Sequence, residues 1–466
     1  MNIKKKISLL ILTLCLLIAF SLIMPTSVIA MNSGYNIRVL LKTSSTTNNH
    51  TITISEGKYY IVHESNPRNI LAEVWAGESI TFSYSSGTYS YSCNKGSSNG
   101  REIFLAIAEN ADSKFTFDNN QYRGGFKVMS NDTYTYAINV IDIELYLYGV
   151  IGRELGYNYH IEALKAQAVA SRSYALGNIS SNNTYYDVTA TTASQVYDGS
   201  KAENDSTHRA VDATYGMVLL YDQKVVPAYF SSNAGGHTED IEKVWTSDDI
   251  PLKGVSSTYD SRAGNYSSYG ASCYSWLVEY TPKELVTLAN TYGKTDIGSY
   301  RSISMSTSNA GQTSVSGRAM IVTITGSSGS VNATKDNIRN LLSLKSTLIR
   351  IDDNVNNPTV AYVIDKGGEK FALSSLTELF AIGADFIKMN ANADEKSIYV
   401  VNQNGVTEIS KTKTVSDKIV ISGNGYGHGV GMSQWGAIAM ADDGYKWDDI
   451  IKHYYCNNGI KLASYY

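Results

Sequence analysis

The chain has 466 residues, of which 43% are hydrophobic and 18% charged, with a formal net charge of -4. That length exceeds one ordinary hydrophobic core, so two or three domains, or one domain with insertions, are expected. The composition fits a soluble globular protein, and the slightly acidic balance excludes a bulk electrostatic pull toward nucleic acid or an anionic surface.

The N-terminus opens with Lys4, Lys5 and Lys6. An apolar run from Ile7 to Met24 follows, broken by Ser8, Thr13, Cys15 and Ser21 and ended by Pro25. With Val28-Ile29-Ala30 as a small-residue cleavage site, residues 1–30 read as a secretory signal peptide. An uncleaved anchor is the rival, because the run approaches the roughly 18–20 apolar residues that span a bilayer. Either way the rest of the chain is expected outside the cytoplasm, in the extracellular space or cell wall or held at the membrane. Beyond the leader, Cys93, Cys273 and Cys456 contain no C-x-x-C pair. Unpaired thiols are the expectation, and one disulfide is the alternative.

From Tyr35 to about Phe117 the pattern is short and alternating. Residues 35–41, 51–55, 58–63 and 79–84 read as strands separated by polar turns. Residues 123–129 and 134–140 read as a hairpin, and 143–151 as a strand-like run leading into Glu154. Residues 161–176 are helical, with Ile161, Leu164, Ala168 and Ala175 on one stripe and Lys165 and Arg172 on another. The density of alanine marks this helix as central. Strands are expected at 217–221, 225–230 and 319–325. A helix at 282–292 starts with Thr281 and Glu284 in a capping box. Residues 354–413 read as a small inserted module, with strands at 360–365 and 396–402 and a helix at 374–381. The fold class expected is α+β: a β-rich lobe and a mixed lobe flanking a cleft. The divisions are 1–30, 31–118, 119–353, 354–413 and 414–466.

Three segments carry candidate chemistry. Glu154 stands near apolar residues, and desolvation raises a carboxyl toward the range a general acid needs. The bland alternative is a surface carboxylate paired with Arg153. Residues 187–199 offer hydroxyls and the Gln195 amide, and Ser231-Ser232-Asn233-Ala234-Gly235-Gly236-His237-Thr238 follows a strand. No G-x-S-x-G elbow accompanies these serines. The third, Gly425-Tyr426-Gly427-His428-Gly429-Val430-Gly431-Met432-Ser433-Gln434, lacks the G-K-[ST] ending of a phosphate loop. Its glycines let backbone approach a ligand or another strand closely. His160, His208, His237, His428 and His453 are scattered and no H-E-x-x-H occurs, so no metal and no cofactor are expected. The abundance of tyrosine, 35 residues against 10 Phe, suits glycan clefts and solvent-facing sheet alike.

Glu144-Leu145-Tyr146-Leu147-Tyr148-Gly149-Val150 through Glu154, then Glu162-Ala163-Leu164-Lys165-Ala166-Gln167-Ala168, form the most specific block. With residues 191–199, 232–238, 425–437 and 450–455, in that order, the chain resembles the SpoIID/LytB family. The resemblance implies a lytic transglycosylase acting on peptidoglycan glycan strands, with Glu154 as its catalytic acid. Lys165, Gln167, Arg172, Gln195, Tyr197, Ser231, His428 and Gln434 are candidates for the substrate-binding wall. The family's Met-Pro after the catalytic Glu is here Leu155-Gly156. Some members bind zinc through His and Cys, and this sequence shows no matching set. Hydrolytic glycosidases need two carboxylates, roughly 5–9.5 Å apart, whereas a lytic transglycosylase manages with one. The resemblance also implies a role in wall remodelling such as sporulation, with a cell-wall amidase or other sporulation wall hydrolases as partners. The alternative is a non-catalytic glycan-binding enhancer of an autolysin amidase.

Overall fold

The computed structural model describes residues 35–156, 158–179, 184–245, 250–353 and 418–466, and between 354 and 417 only strand segments. The expected leader lies outside the described residues. The chain forms two units. The first takes the residues up to Phe230 together with Ala437–Tyr466, and the second is Ser231–Gly436. Strands and helices both recur through the chain, and the fold class is α+β.

Among the described residues of the first unit, alternating side chains build twelve strands ahead of the helix at Ile143: β1 Asn36–Ser45, β2 His50–Glu56, β3 Lys58–His63, β4 Asn66–Trp75, β5 Ser79–Ser85, β6 Thr88–Cys93, β7 Gly96–Gly100, β8 Phe104–Ala108, β9 Lys114–Phe117, β10 Asn120–Arg123, β11 Gly125–Ser130 and β12 Tyr134–Asp142. The period-2 pattern puts Ile52, Ile54, Ile80 and Phe82 inward and threonines and serines outward. One sheet runs β1-β12-β11-β8-β3-β4 and the other β10-β9-β2-β5-β6-β7. Their inner faces meet at Phe126, whose ring lies 5.5 Å from Phe82, 5.5 Å from Phe115 and 5.2 Å from Phe117. Burying each such ring contributes roughly 1.5–3 kcal/mol. β4, β6, β7, β8, β9 and β10 add to the strands expected from sequence.

The run expected as a strand before Glu154 is instead a helix, α1 Ile143–Glu154. Asp142 caps it, its Oδ1 accepting the Glu144 N–H at 2.9 Å and the Leu145 N–H at 3.4 Å. Apolar residues fall on nearly every side and are buried, so periodicity could not separate helix from strand. α2 Ile161–Gly177 forms as expected. Ala163, Ala166, Ala168, Ala170 and Ala175 are all buried, which lets neighbouring backbone come close on several sides. β13 Val188–Thr189 extends the first sheet beside β1. α3 Asp205–Asp212 starts at a capping box of Asn204 and Thr207. β14 Met217–Tyr221 pairs with β15 Lys224–Val225 and with Lys461–Ser464. The strand expected over 225–230 is reduced to its two ends, because Pro227 in its middle has no N–H to give a ladder. Helix Trp447–Tyr455 closes the unit through buried Ile450, Ile451, Tyr454 and Tyr455.

The second unit has its own core, built from Leu285, Ala289, Val322, Ile324, Ile338 and Ile421 among others. Helix Pro282–Gly293 opens with the expected capping box. The Thr281 N–H donates to Glu284 Oε2 at 2.8 Å and the Glu284 N–H to Thr281 Oγ1 at 3.3 Å. The strand expected at 319–325 is Ile321–Gly326. Between 361 and 409 the described strands form three hairpins. The helix expected at 374–381 falls outside the described residues except at its end, which enters strand Phe380–Ile382. Among the described residues no helix is long and apolar enough to cross a membrane. Cys93, Cys273 and Cys456 are free thiols.

Candidate active site

α1 ends at Glu154, and residues 191–199 return to meet that end. Two helix glycines allow the approach. A Cβ on Gly149 would stand 2.6 Å from the Gly199 carbonyl oxygen, and one on Gly152 only 2.1 Å from that of Ala202. Both gaps are too small for a side chain. The returning backbone delivers a hydrogen bond: the Val196 N–H donates to Glu154 Oε1 at 2.8 Å. Arg153, the neighbour a bland reading pairs with Glu154, makes its ion pair with Asp198 at 2.8 Å.

A buried polar layer fixes this geometry from behind. The Tyr146 hydroxyl donates to Gln195 Oε1 at 3.3 Å, and Gln195 Nε2 donates to the Ser171 carbonyl at 3.4 Å. The Tyr197 hydroxyl donates to Asn139 Oδ1 at 3.0 Å, and Asn139 Nδ2 in turn donates to the Arg123 and Gly125 carbonyls. The Tyr146 and Tyr197 rings stand 4.9 Å apart. Burial, reinforced by the Glu154 charge, drives the Tyr146 phenol well above its ordinary range. Burial and the charges of Tyr229 and Glu154 push the Tyr174 phenol up to about 12, against a hydrogen bond with Ser194. Both phenols therefore stay protonated at neutral pH. The Glu154 carboxyl itself is half-buried.

The other expected residues fall in distinct environments. On α2, half-buried Lys165 donates to Glu162 Oε1 at 2.8 Å. Gln167 is fully buried and donates to Ser171 Oγ at 3.0 Å. Arg172 is fully buried too. Its guanidinium meets Glu144 through Nε at 2.8 Å and Nη2 at 2.6 Å, and Nη1 donates to the Met217 carbonyl. Glu144 also accepts from the Gly216 N–H and the Tyr466 hydroxyl. Gln195 and Tyr197 belong to the layer behind Glu154. Tyr146, Tyr174 and the Val196 N–H are additions. Tyr146 lies in an apolar run that reads as core, and a backbone donor has no signature in sequence.

Ser231, His428 and Gln434 belong to the second unit. There the backbone at Gly427 and Gly429 is left-handed, with φ of +112° and +77°. A Cβ at Gly427 would meet the Ser231 side chain at 2.6 Å, and one at Gly429 the Arg318 guanidinium at 2.2 Å. The glycines thus let backbone lie directly on these two side chains. Arg318 is buried. Its Nη2 donates to the Ala234 carbonyl at 2.7 Å, and burial lowers its guanidinium to about 10. His428 Nδ1 accepts the Val430 N–H at 3.0 Å, which in the neutral ring puts the proton on Nε2. Ser231 and Gln434 are both buried. Among the described residues no three His, Cys, Asp or Glu side chains gather as a metal site.

The family model described as "Stage II sporulation protein" matches residues 131–221, which hold α1, α2 and the Glu154 surroundings. A "Domain of unknown function (DUF8618)" matches residues 241–369. The chain is 31% identical over 319 residues to the amidase enhancer of Bacillus subtilis (strain 168), covering 68% of this chain and 40% of that protein. It is 28% identical to stage II sporulation protein D of the same organism, covering 71% of this chain and 78% of the other. An uncharacterized protein of Brachyspira hyodysenteriae is 28% identical, over 75% and 74% of the two chains. The chain thus spans about two fifths of the amidase enhancer and about three quarters of the other two.

Proposed function

The chain belongs to the SpoIID/LytB family, and on that premise we propose that it is an exported lytic transglycosylase of peptidoglycan glycan strands. Glu154 is the acid and then the base. Protonated, it gives its proton to the glycosidic oxygen between N-acetylmuramic acid and N-acetylglucosamine, and the C1–O bond breaks. As a carboxylate it takes the proton of the muramic C6 hydroxyl while that oxygen closes onto C1. A 1,6-anhydro end and a free 4-hydroxyl result, with no water consumed. One carboxyl handles both proton transfers, as general acid–base catalysis by a single positioned group allows.

The observation that carries this reading is the setting of Glu154. The half-buried carboxyl has one oxygen oriented by the Val196 N–H, and its charge reaches two buried, protonated phenols, Tyr146 and Tyr174. An oriented acid within a rigid, partly desolvated wall is what proton transfer to a leaving oxygen requires. Gln195 and Tyr197 act as positioning residues that hold 191–199 in place. Lys165, exposed in part, is the candidate on α2 for a sugar hydroxyl. Ser231, His428 and Gln434 are proposed as glycan-binding residues of the second unit itself.

Purified sacculi incubated with the chain should release anhydro-muropeptides detectable by mass spectrometry. Glu154→Gln should lower that yield by about 10²–10⁴-fold. Equal yields from the two proteins would sink the catalytic role. The name of the amidase-enhancer relative supports a second reading, a glycan-binding stimulator of an autolysin amidase. On that reading neither protein releases anhydro product, and both raise the turnover of an added amidase equally.

A further inference from the structure

The β-rich part of the first unit holds a cavity of about 770 Å³ that shares no residue with the Glu154 surroundings. Thr46, Thr47, Asn49, Ser83, Ser85 and Ser86 line it together with Tyr84 and Asp132, and it is half open to solvent. The volume falls within the roughly 300–1,000 Å³ typical of ligand pockets. Among the lining residues none is Lys, Arg or aliphatic.

The Asp132 corner is built rather than loose. Its backbone is left-handed at φ +67°. Its N–H donates to Ser130 Oγ at 3.0 Å, and the next two N–H groups donate to Asn131 Oδ1 at 3.1 and 2.8 Å. The Tyr84 hydroxyl donates to Asp132 Oδ1 and accepts the Gly87 N–H at 3.0 Å. Tyrosines continue outward from this corner. Tyr89 stands 4.9 Å from Tyr84, and Tyr136 stacks on Tyr185 at 4.9 Å with Tyr186 at 6.1 Å.

This chemistry selects among ligands. A carboxylate with no lining cation repels anions. A wall of hydroxyls and one amide leaves an apolar ligand poorly matched, since the wall's polar groups would lose water without compensation. Donors and acceptors in both senses, beside aromatic faces, fit an uncharged ligand dense in hydroxyl and acetamido groups. We propose that this cavity is a non-catalytic saccharide site for a short, uncharged N-acetylamino-sugar oligomer. The site does not rest on the transglycosylase reading.

The test uses the chain with Glu154→Gln, titrated calorimetrically with tetra-N-acetylchitotetraose. Hydrogen exchange is read on the same complex. Binding should protect 46–49, 83–86 and 130–133. Thr47→Trp with Ser85→Trp, both at exposed turn or strand-end positions, should weaken binding at least tenfold with an unchanged thermal midpoint. Asp132→Asn, which suits the left-handed backbone, should weaken it severalfold. No binding, equal affinity in the blocked variants, or protection confined to 191–199 would each overturn the site. Failure of the sacculus assay with saccharide still bound here would remove the transglycosylase reading alone.

Discussion

Arg172 lies inside the first unit with two of its nitrogens on Glu144, whose remaining acceptors are filled by the Gly216 N–H and the Tyr466 hydroxyl. Removing one member of such a pair strands the other charge in a medium that solvates it poorly, at about 3–5 kcal/mol. Arg172→Met should therefore lower the free energy of unfolding by that amount in urea titration, and adding Glu144→Leu should restore part of it. A variant as stable as the parent would show that the pair adds nothing to stability. Helical spacing separates Arg172 from the apolar stripe of α2, but spacing has no way to show that its partner sits 28 residues earlier. The same limit applies around Glu154. The carboxyl stands out in the sequence, whereas the donor that orients it is a peptide N–H from a segment 42 residues on.

At the scale of elements, the contact between α1 and residues 197–202 depends on two helical positions without side chains. Alanine normally gains about 1 kcal/mol over glycine inside a helix. At Gly152 a Cβ would lie 2.1 Å from the Ala202 carbonyl oxygen, so the backbone must shift. Overpacking of this kind costs about 1–3 kcal/mol. Gly152→Ala should destabilise the chain by up to about 2 kcal/mol net, and it should also reduce anhydro-muropeptide yield by moving Val196 off Glu154. A more stable Gly152→Ala protein with full activity would show that the close approach is not needed. α2 and helix Pro282–Gly293 are legible in sequence because caps and apolar stripes agree there. α1 is not, because its buried face wraps most of the helix and its strand-like residues carry no period. Pro227 hides in an apolar run and ends β15 early.

On the scale of the whole molecule, Glu162 joins the start of α2 to the chain's return after the second unit. It accepts from Lys165 Nζ at 2.8 Å and from the Trp447 N–H at 2.9 Å. Burial alone would raise this carboxyl, but those two partners outweigh it and hold it below its ordinary value. The unfolded chain then binds the proton more readily than the folded one, so stability rises with pH across that window. The contribution of Glu162 is complete above its unfolded value, about 4.3, and is lost as pH falls through the lower folded value. Glu162→Gln should flatten the acid side of the stability profile, measured as urea midpoints from about pH 6 down to about pH 3. Parallel profiles would dismiss the linkage. The α+β class and the order of the family-like blocks could be read from residues, whereas the division at Phe230 and Ala437 could not, since the second cut falls within the apolar run 435–441 and nothing in sequence pairs it with the first. That division also sets a timetable. β14 takes one of its partners from Lys461–Ser464, so the first unit gains its last strand only after the whole second unit has been synthesised. The second unit is one uninterrupted stretch and can close as soon as it emerges, while the first must wait with an unpaired edge, in the interval when nascent chains are most exposed to aggregation and proteases.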